Sequence, residues 1–123
     1  MSQAIILFAH GARDPAWADP VKRLQQILGA KIDQVGVHCA YLEHMQPDLA
    51  TTVHRLMAQQ IQRITLVPVF LAQGGHLKQD LPKQIAALQA QYPELKLQVM
   101  PPLGESEVVL NAISDWIVQS TAR

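Results

Sequence analysis

Leu66-Val67-Pro68-Val69-Phe70-Leu71-Ala72-Gln73-Gly74-Gly75-His76-Leu77-Lys78-Gln79-Asp80 is the stretch whose reading decides the fold. An apolar strand runs into a Gly-Gly turn, presents one histidine and then opens a helical pattern. A continuous apolar run of this kind reads as a strand buried on both faces of a parallel sheet. Ligands of open α/β sheets bind at the carboxyl ends of the strands, so His76 stands where chemistry is expected. Pro68 is awkward in such a strand, because proline removes a ladder donor.

Working outward, the same alternation of apolar runs and helical patterns recurs. Ala4 to Ala9 is a first strand ending at His10-Gly11. Asp14-Pro15 then offers a cap and a first helical position, with Val21, Leu24, Ile27 and Leu28 at helical spacing. Pro20 leaves two starts open, a helix kinked there or one beginning there. Val35 to Leu42 is a second strand running into Glu43-His44. Pro47-Asp48 opens a second helix carrying Leu49, Val53 and Leu56. The third strand covers Ile64 to Leu71, and the third helix carries Leu81, Ile85 and Leu88 with Asp80 and Pro82 near its start. Leu95 to Met100 is a fourth strand. A last helix with Val109, Ala112, Ile113, Trp116 and Ile117 has the clearest amphipathic spacing. The order βαβαβαβα predicts an α/β fold, a three-layer open sheet of about four mainly parallel strands with helices on both faces.

Length and composition narrow the function. At 123 residues and 49% hydrophobic, the chain is expected to be a single domain, residues 1–123, with ample core. Ten basic and ten acidic residues leave no net charge, hence no electrostatic footprint for nucleic acid or an anionic membrane. Cys39 is the one cysteine, which excludes an internal disulfide and a cysteine-based zinc cluster. It reads as a small core residue. No apolar run approaches the ~20 residues of a membrane span and no leader pattern opens the chain, so a cytoplasmic location is expected. Nucleotide fingerprints and a Gly-x-Ser-x-Gly elbow are absent.

On the expected scaffold every strand delivers polar groups to one edge: His10 after the first, Glu43 and His44 after the second, His76 after the third, Glu105 and Ser106 after the fourth. Two imidazoles and a carboxylate suit a divalent transition metal and equally suit proton transfer near neutral pH. Arg13 and Lys78, just beyond the two histidine turns, suit an anionic substrate, as do the amino termini of the following helices. Trp17, Met45 and Leu77 are candidates for an apolar wall. Taken singly each has a plainer reading: a histidine after a strand as a hydrogen-bonded turn residue, Arg13 and Lys78 as solvated charges, His44 as exposed loop, His54 as a solvent-facing helix residue.

Phe8-Ala9-His10-Gly11-Ala12-Arg13-Asp14-Pro15, Tyr41-Leu42-Glu43, Val67-Pro68-Val69-Phe70-Leu71, Gly74-Gly75-His76, Asp80-Leu81-Pro82 and Pro102-Leu103-Gly104 together make the chain similar to a known family. It resembles the small class II tetrapyrrole chelatases, specifically the short CbiX-type sirohydrochlorin chelatases, over nearly its whole length. The resemblance implies a chelatase-like fold of flavodoxin-like topology and ATP-independent insertion of cobalt, iron or nickel into sirohydrochlorin or a related tetrapyrrole, in cobalamin or siroheme biosynthesis. It implies His10 and His76 as metal-binding and catalytic residues, Glu43 as the acid completing them, and Arg13, Gly74, Gly75 and Lys78 around the substrate. The metal is then a substrate, no permanent cofactor is expected, and a chain of one half implies a homodimer with the macrocycle between subunits. Three other readings compete. A metal or tetrapyrrole carrier would use the same histidines without turnover. A histidine-type phosphatase would share His10-Gly11-x-Arg13, although Ala9 stands where that class carries arginine. A plain interaction domain would use none of them.

Overall fold

The computed structural model describes residues 2–121 and, at position 76, the backbone alone. Four parallel strands, β1 (Gln3–Ala9), β2 (Val35–Tyr41), β3 (Arg63–Pro68) and β4 (Lys96–Val99), lie in the order β2-β1-β3-β4. This is the flavodoxin-like order carried through four strands. The chain steps from β1 to β2 on one side and then returns across β1 to β3. Right-handed crossovers therefore place the first two helices on opposite faces.

The packing follows from that topology. Helix α1 (Asp19–Lys31) lays Val21, Leu24 and Leu28 against Leu7, Ala9 and Tyr41 on one face. On the other face, α2 (Leu49–Ala58) and α3 (Gly75–Gln91) bring Leu49, Val53, Leu56, Leu77, Leu81 and Leu88 onto Ala4, Ile6, Phe8, Ile64 and Leu66. Alternate residues of β1 thus serve two cores, as the pleat requires. Burying each of the large side chains contributes about 1.5–3 kcal/mol. The three layers expected from the sequence are present.

Several boundaries differ for identifiable reasons. Pro20 does not kink a long helix: a 3-10 turn at Pro15–Ala18, capped by Asp14 accepting from the Ala16 N–H at 2.9 Å, precedes α1, in whose first turn Pro20 falls. That position has no helical donor to lose. Strand β3 stops at Pro68 rather than Leu71, and the proline there costs no ladder bond. Val69 N–H donates to Phe8 on the β1 side, and Leu66 C=O accepts from Met100 on the β4 side. Pro68 therefore faces the β4 side at a point beyond the last residue of β4. Gly74-Gly75 is not a free turn. Gly74 caps α3 and Gly75 begins it, so Pro82 lies inside the helix.

The last helix departs furthest from expectation. Helix α4 (Glu107–Thr121) adjoins the 3-10 turn Leu103–Glu105, buries none of its residues, and leaves Val108, Trp116, Ile117 and Val118 exposed. Its amphipathic pattern predicted a place in a helical layer, and among the described residues none of its side chains is buried. Among the described residues, no helix is long and apolar enough to cross a membrane.

Candidate active site at the carboxyl edge of the sheet

Parallel pairing of Ala9 with Tyr41 brings the ends of β1 and β2 to the same level. Beyond them the two chains stay zipped, Leu42 N–H donating to Ala9 C=O at 2.9 Å and Glu43 N–H to His10 C=O at 3.0 Å. His10 and Glu43 are therefore neighbours because the sheet register continues past its last strand residues. The close approach depends on Gly11. Its φ of 81° is left-handed, and a Cβ there would meet the Glu43 carbonyl oxygen at 2.0 Å. Only glycine tolerates both.

A second support comes from the loop after β3. Phe70 is buried and stacks on the His10 imidazole, ring centroids 4.8 Å apart and tilted by 42°. Phe8 meets the same phenyl ring edge-on, with centroids at 6.4 Å. The His10 ring thus leans on a side chain fixed by the core. Phe70 belongs to the motif run, yet nothing in its spacing marked it as a support for the histidine. The loop that carries it is held by Leu103 N–H donating to Phe70 C=O at 3.1 Å. Gly104 passes close beneath, where a Cβ would lie 1.8 Å from the Leu71 carbonyl oxygen.

His10, Glu43, Gly74 and Gly75 line one cleft of about 440 Å³, together with Leu42, Leu77 and Asp80. The two glycines open the floor where the first N–H groups of α3 stand free of intrahelical partners. His76 is the second residue of that helix, at the same end of the sheet; its side chain lies outside the described residues. Asp80 was a helix-start residue in the sequence reading and proves to be a second carboxylate of the cleft. Among the described residues, no three His, Cys, Asp or Glu side chains are grouped as a metal site.

The other expected residues fall elsewhere. Lys78 is exposed on α3 and does not line this cleft. Trp17 walls an apolar groove of about 410 Å³ on the α1 face, which His10 also borders together with Val69 and Tyr41. Arg13 and Met45 lie further round, in a smaller cleft. Glu105 and Ser106 are far from this chemistry in role: Ser106 Oγ accepts from the Val109 N–H at 3.3 Å and starts α4. His54 is not solvent-facing, being half-buried with Nδ1 against the Tyr92 hydroxyl. His38 and Cys39 sit within β2, where burial pushes the imidazole below and the thiol above its ordinary range. Neither shift suits a metal-binding thiolate or a charged histidine.

Residues 4–120 match the CbiX family. The chain belongs to the CbiX family. Among solved structures it is similar to a CbiX protein from Marinobacter aquaeolei VT8, 32% identical with 96% of each chain covered and a TM-score of 0.82. Among curated relatives it is similar to the sirohydrochlorin ferrochelatase of Bacillus subtilis (strain 168), 28% identical over 120 residues, covering 92% of this chain and 43% of that protein. It is likewise similar to the sirohydrochlorin cobaltochelatase of Sulfurisphaera tokodaii, 24% identical over 113 residues, covering 92% and 89%. The CbiX chain thus spans less than half of one relative and nearly all of the other.

Proposed function

We propose that this CbiX chain inserts a divalent metal, cobalt, iron or nickel, into sirohydrochlorin or a related tetrapyrrole without ATP, in cobalamin or siroheme biosynthesis. The observation that carries the reading is the zipped pair His10 and Glu43, sharing a cleft with the glycine-floored start of the helix that bears His76. The names of the relatives give the reaction; the cleft supplies groups suited to it. Metallation strips water from the cation and removes two pyrrole N–H protons. His10 and His76 act as neutral nitrogen ligands to the incoming metal and, with Glu43, as acceptors of those protons. Asp80 adds negative charge that draws in the cation. Gly74 and Gly75 let the macrocycle approach the α3 backbone, and Arg13 and Lys78 meet its peripheral carboxylates.

The metal is substrate, so the enzyme needs no permanent cofactor, and the single domain works in the cytoplasm. A homodimer completes the enzyme. Helix α4 offers Trp116, Ile117 and Val118, left exposed among the described residues, the kind of patch that marks an interaction site. The Bacillus relative, of which this chain spans 43%, has the length for two such units.

The test follows the absorption spectrum of sirohydrochlorin mixed with protein and each metal, against metal-only controls. Catalysed metallation by wild type, with His10→Ala and Glu43→Gln each losing at least about tenfold in rate, supports the proposal. No acceleration with any of the three metals removes it. Stoichiometric binding without turnover favours the carrier instead.

A further inference from the structure

Two cationic side chains and an imidazole meet where composition gives no reason for them to meet. Arg13, Lys22 and His44 converge on a cleft of about 250 Å³ walled by Tyr41 and Gln46. The chain carries equal numbers of acidic and basic residues, yet no carboxylate lines this cleft. The nearest candidates are engaged or turned elsewhere. Asp14 caps the 3-10 turn through the Ala16 N–H. Glu43 lies 3.8 Å from His44, the one ion pair among the described residues, and faces the His10 cleft. Arg13 and Lys22 have no carboxylate within ion-pair distance among the described residues.

The position of the cleft says what it is for. It shares its Ala12 and Tyr41 wall with the apolar groove that His10 borders. A flat apolar ligand lying in that groove, with its reactive centre near His10, would therefore extend its edge into the cationic cleft. His44 reaches the cleft from a left-handed backbone, φ 65°, a conformation that costs a non-glycine residue free energy and collects at binding sites. Arg13 and Lys22, which have no carboxylate partner among the described residues, join the His44 ring in offering donors to a carboxylate, and guanidinium in particular takes one through two parallel hydrogen bonds.

We propose that Arg13, Lys22 and His44 form a subsite for a peripheral carboxylate of the tetrapyrrole, fixing which edge of the ring enters the groove. This rests on the chelatase reading and adds Lys22 and His44 as specificity-determining residues. Lys22 is the informative probe, since it is exposed on α1 and outside the metal-handling cleft. Sirohydrochlorin affinity, read from quenching of tryptophan emission, is expected to weaken about tenfold in Lys22→Gln and in His44→Gln. Lys22→Arg is expected to stay near wild type. The KM for cobalt and the kcat of Lys22→Gln should change less than about twofold, because Lys22 does not line the metal cleft, whereas His44 neighbours Glu43 and its variant is read for affinity alone. Esterifying the carboxylates should weaken wild-type binding and leave Lys22→Gln little further to lose, a non-additivity that a merely structural role does not produce.

Each outcome decides. Unchanged affinity in both variants, or additive losses with the esterified ring, overturns the subsite while leaving the chelatase standing. Wild-type binding with the expected pattern but no turnover overturns the chelatase and keeps the subsite. No wild-type binding of the free-acid ring overturns both.

Discussion

At the scale of single residues, glycines separate into positions the backbone requires and positions it merely tolerates. Gly11 combines a left-handed φ with the Glu43 carbonyl 2.0 Å from any added Cβ, whereas Gly29 sits in α1 with nothing within 4 Å. The two alanine substitutions should therefore have opposite signs. Gly29→Ala should stabilise by about 0.5–1 kcal/mol, because it removes unfolded-state entropy in an exposed helical position. Gly11→Ala should destabilise by at least the roughly 1–2 kcal/mol of a left-handed L-residue and should part His10 from Glu43. Urea denaturation gives both values, and a stabilised Gly11→Ala would show that the zipped loops are not held as described.

His38 makes a second residue-scale case. It lies over Gly36, where a Cβ would meet Nε2 at 2.9 Å, and burial holds its imidazole below the ordinary 6.5. In the fold the neutral form is favoured, so the unfolded chain takes up the proton first. Stability is then lost as pH falls from about 6.5 through the lower folded value. Wild type should lose more stability than His38→Gln between pH 7 and 5, read as the shift in urea midpoint. Parallel curves for the two proteins would remove burial of His38 as a source of acid sensitivity.

At the scale of elements, local side-chain chemistry sets most starts, and topology sets the exceptions. Pro47-Asp48 reads as a helix opening in sequence, and in the structure Asp48 caps that helix, its carboxylate accepting from the Thr51 N–H at 2.8 Å. The Thr51 hydrogen bonds hold that carboxyl below its usual range. Asp48→Ala should lower stability by about 1 kcal/mol, seen as a fall in Tm of roughly 3–5 °C. A change under about 1 °C would mean that tertiary packing of Leu49, Val53 and Leu56 sets the helix start alone. Gly75 and Pro68 were illegible for opposite reasons. A Gly-Gly pair reads as a turn, yet first-turn N–H groups need no partner, so glycine can open a helix. A proline reads as a broken ladder, yet the neighbouring strand had already ended. Knowing either requires knowing what lies alongside, which a single run of residues does not encode.

At the scale of the whole molecule, the same distinction explains which parts of the site could be read. His10 and Glu43 were legible as neighbours because strand ends of a parallel sheet share one edge, and the register of β1 and β2 delivers them there. Phe70 and Asp80 were not, since each reads in sequence as ordinary core or helix start. Helix α4 shows the limit of periodicity: an amphipathic stripe announces that a helix has a partner and does not say which. The structure narrows that partner to something outside the described chain, because none of its residues is buried. A 15-residue helix is about 22 Å long and about 10 Å wide. Two such helices, each laid on the other copy, would cover about 900 Å² counted on both surfaces, to which the adjoining chain adds toward the ~1,200–2,000 Å² of a stable interface. Light scattering on wild type should thus give twice the 13.6 kDa of one chain. Trp116→Glu combined with Ile117→Glu should return it to one, with the far-ultraviolet spectrum retained because α4 buries nothing within its own subunit. If the macrocycle lies between subunits, metallation should fall in parallel with the dimer fraction as protein is diluted. A monomeric wild type, or a dimer indifferent to both charges, would leave α4 without the second copy as its partner.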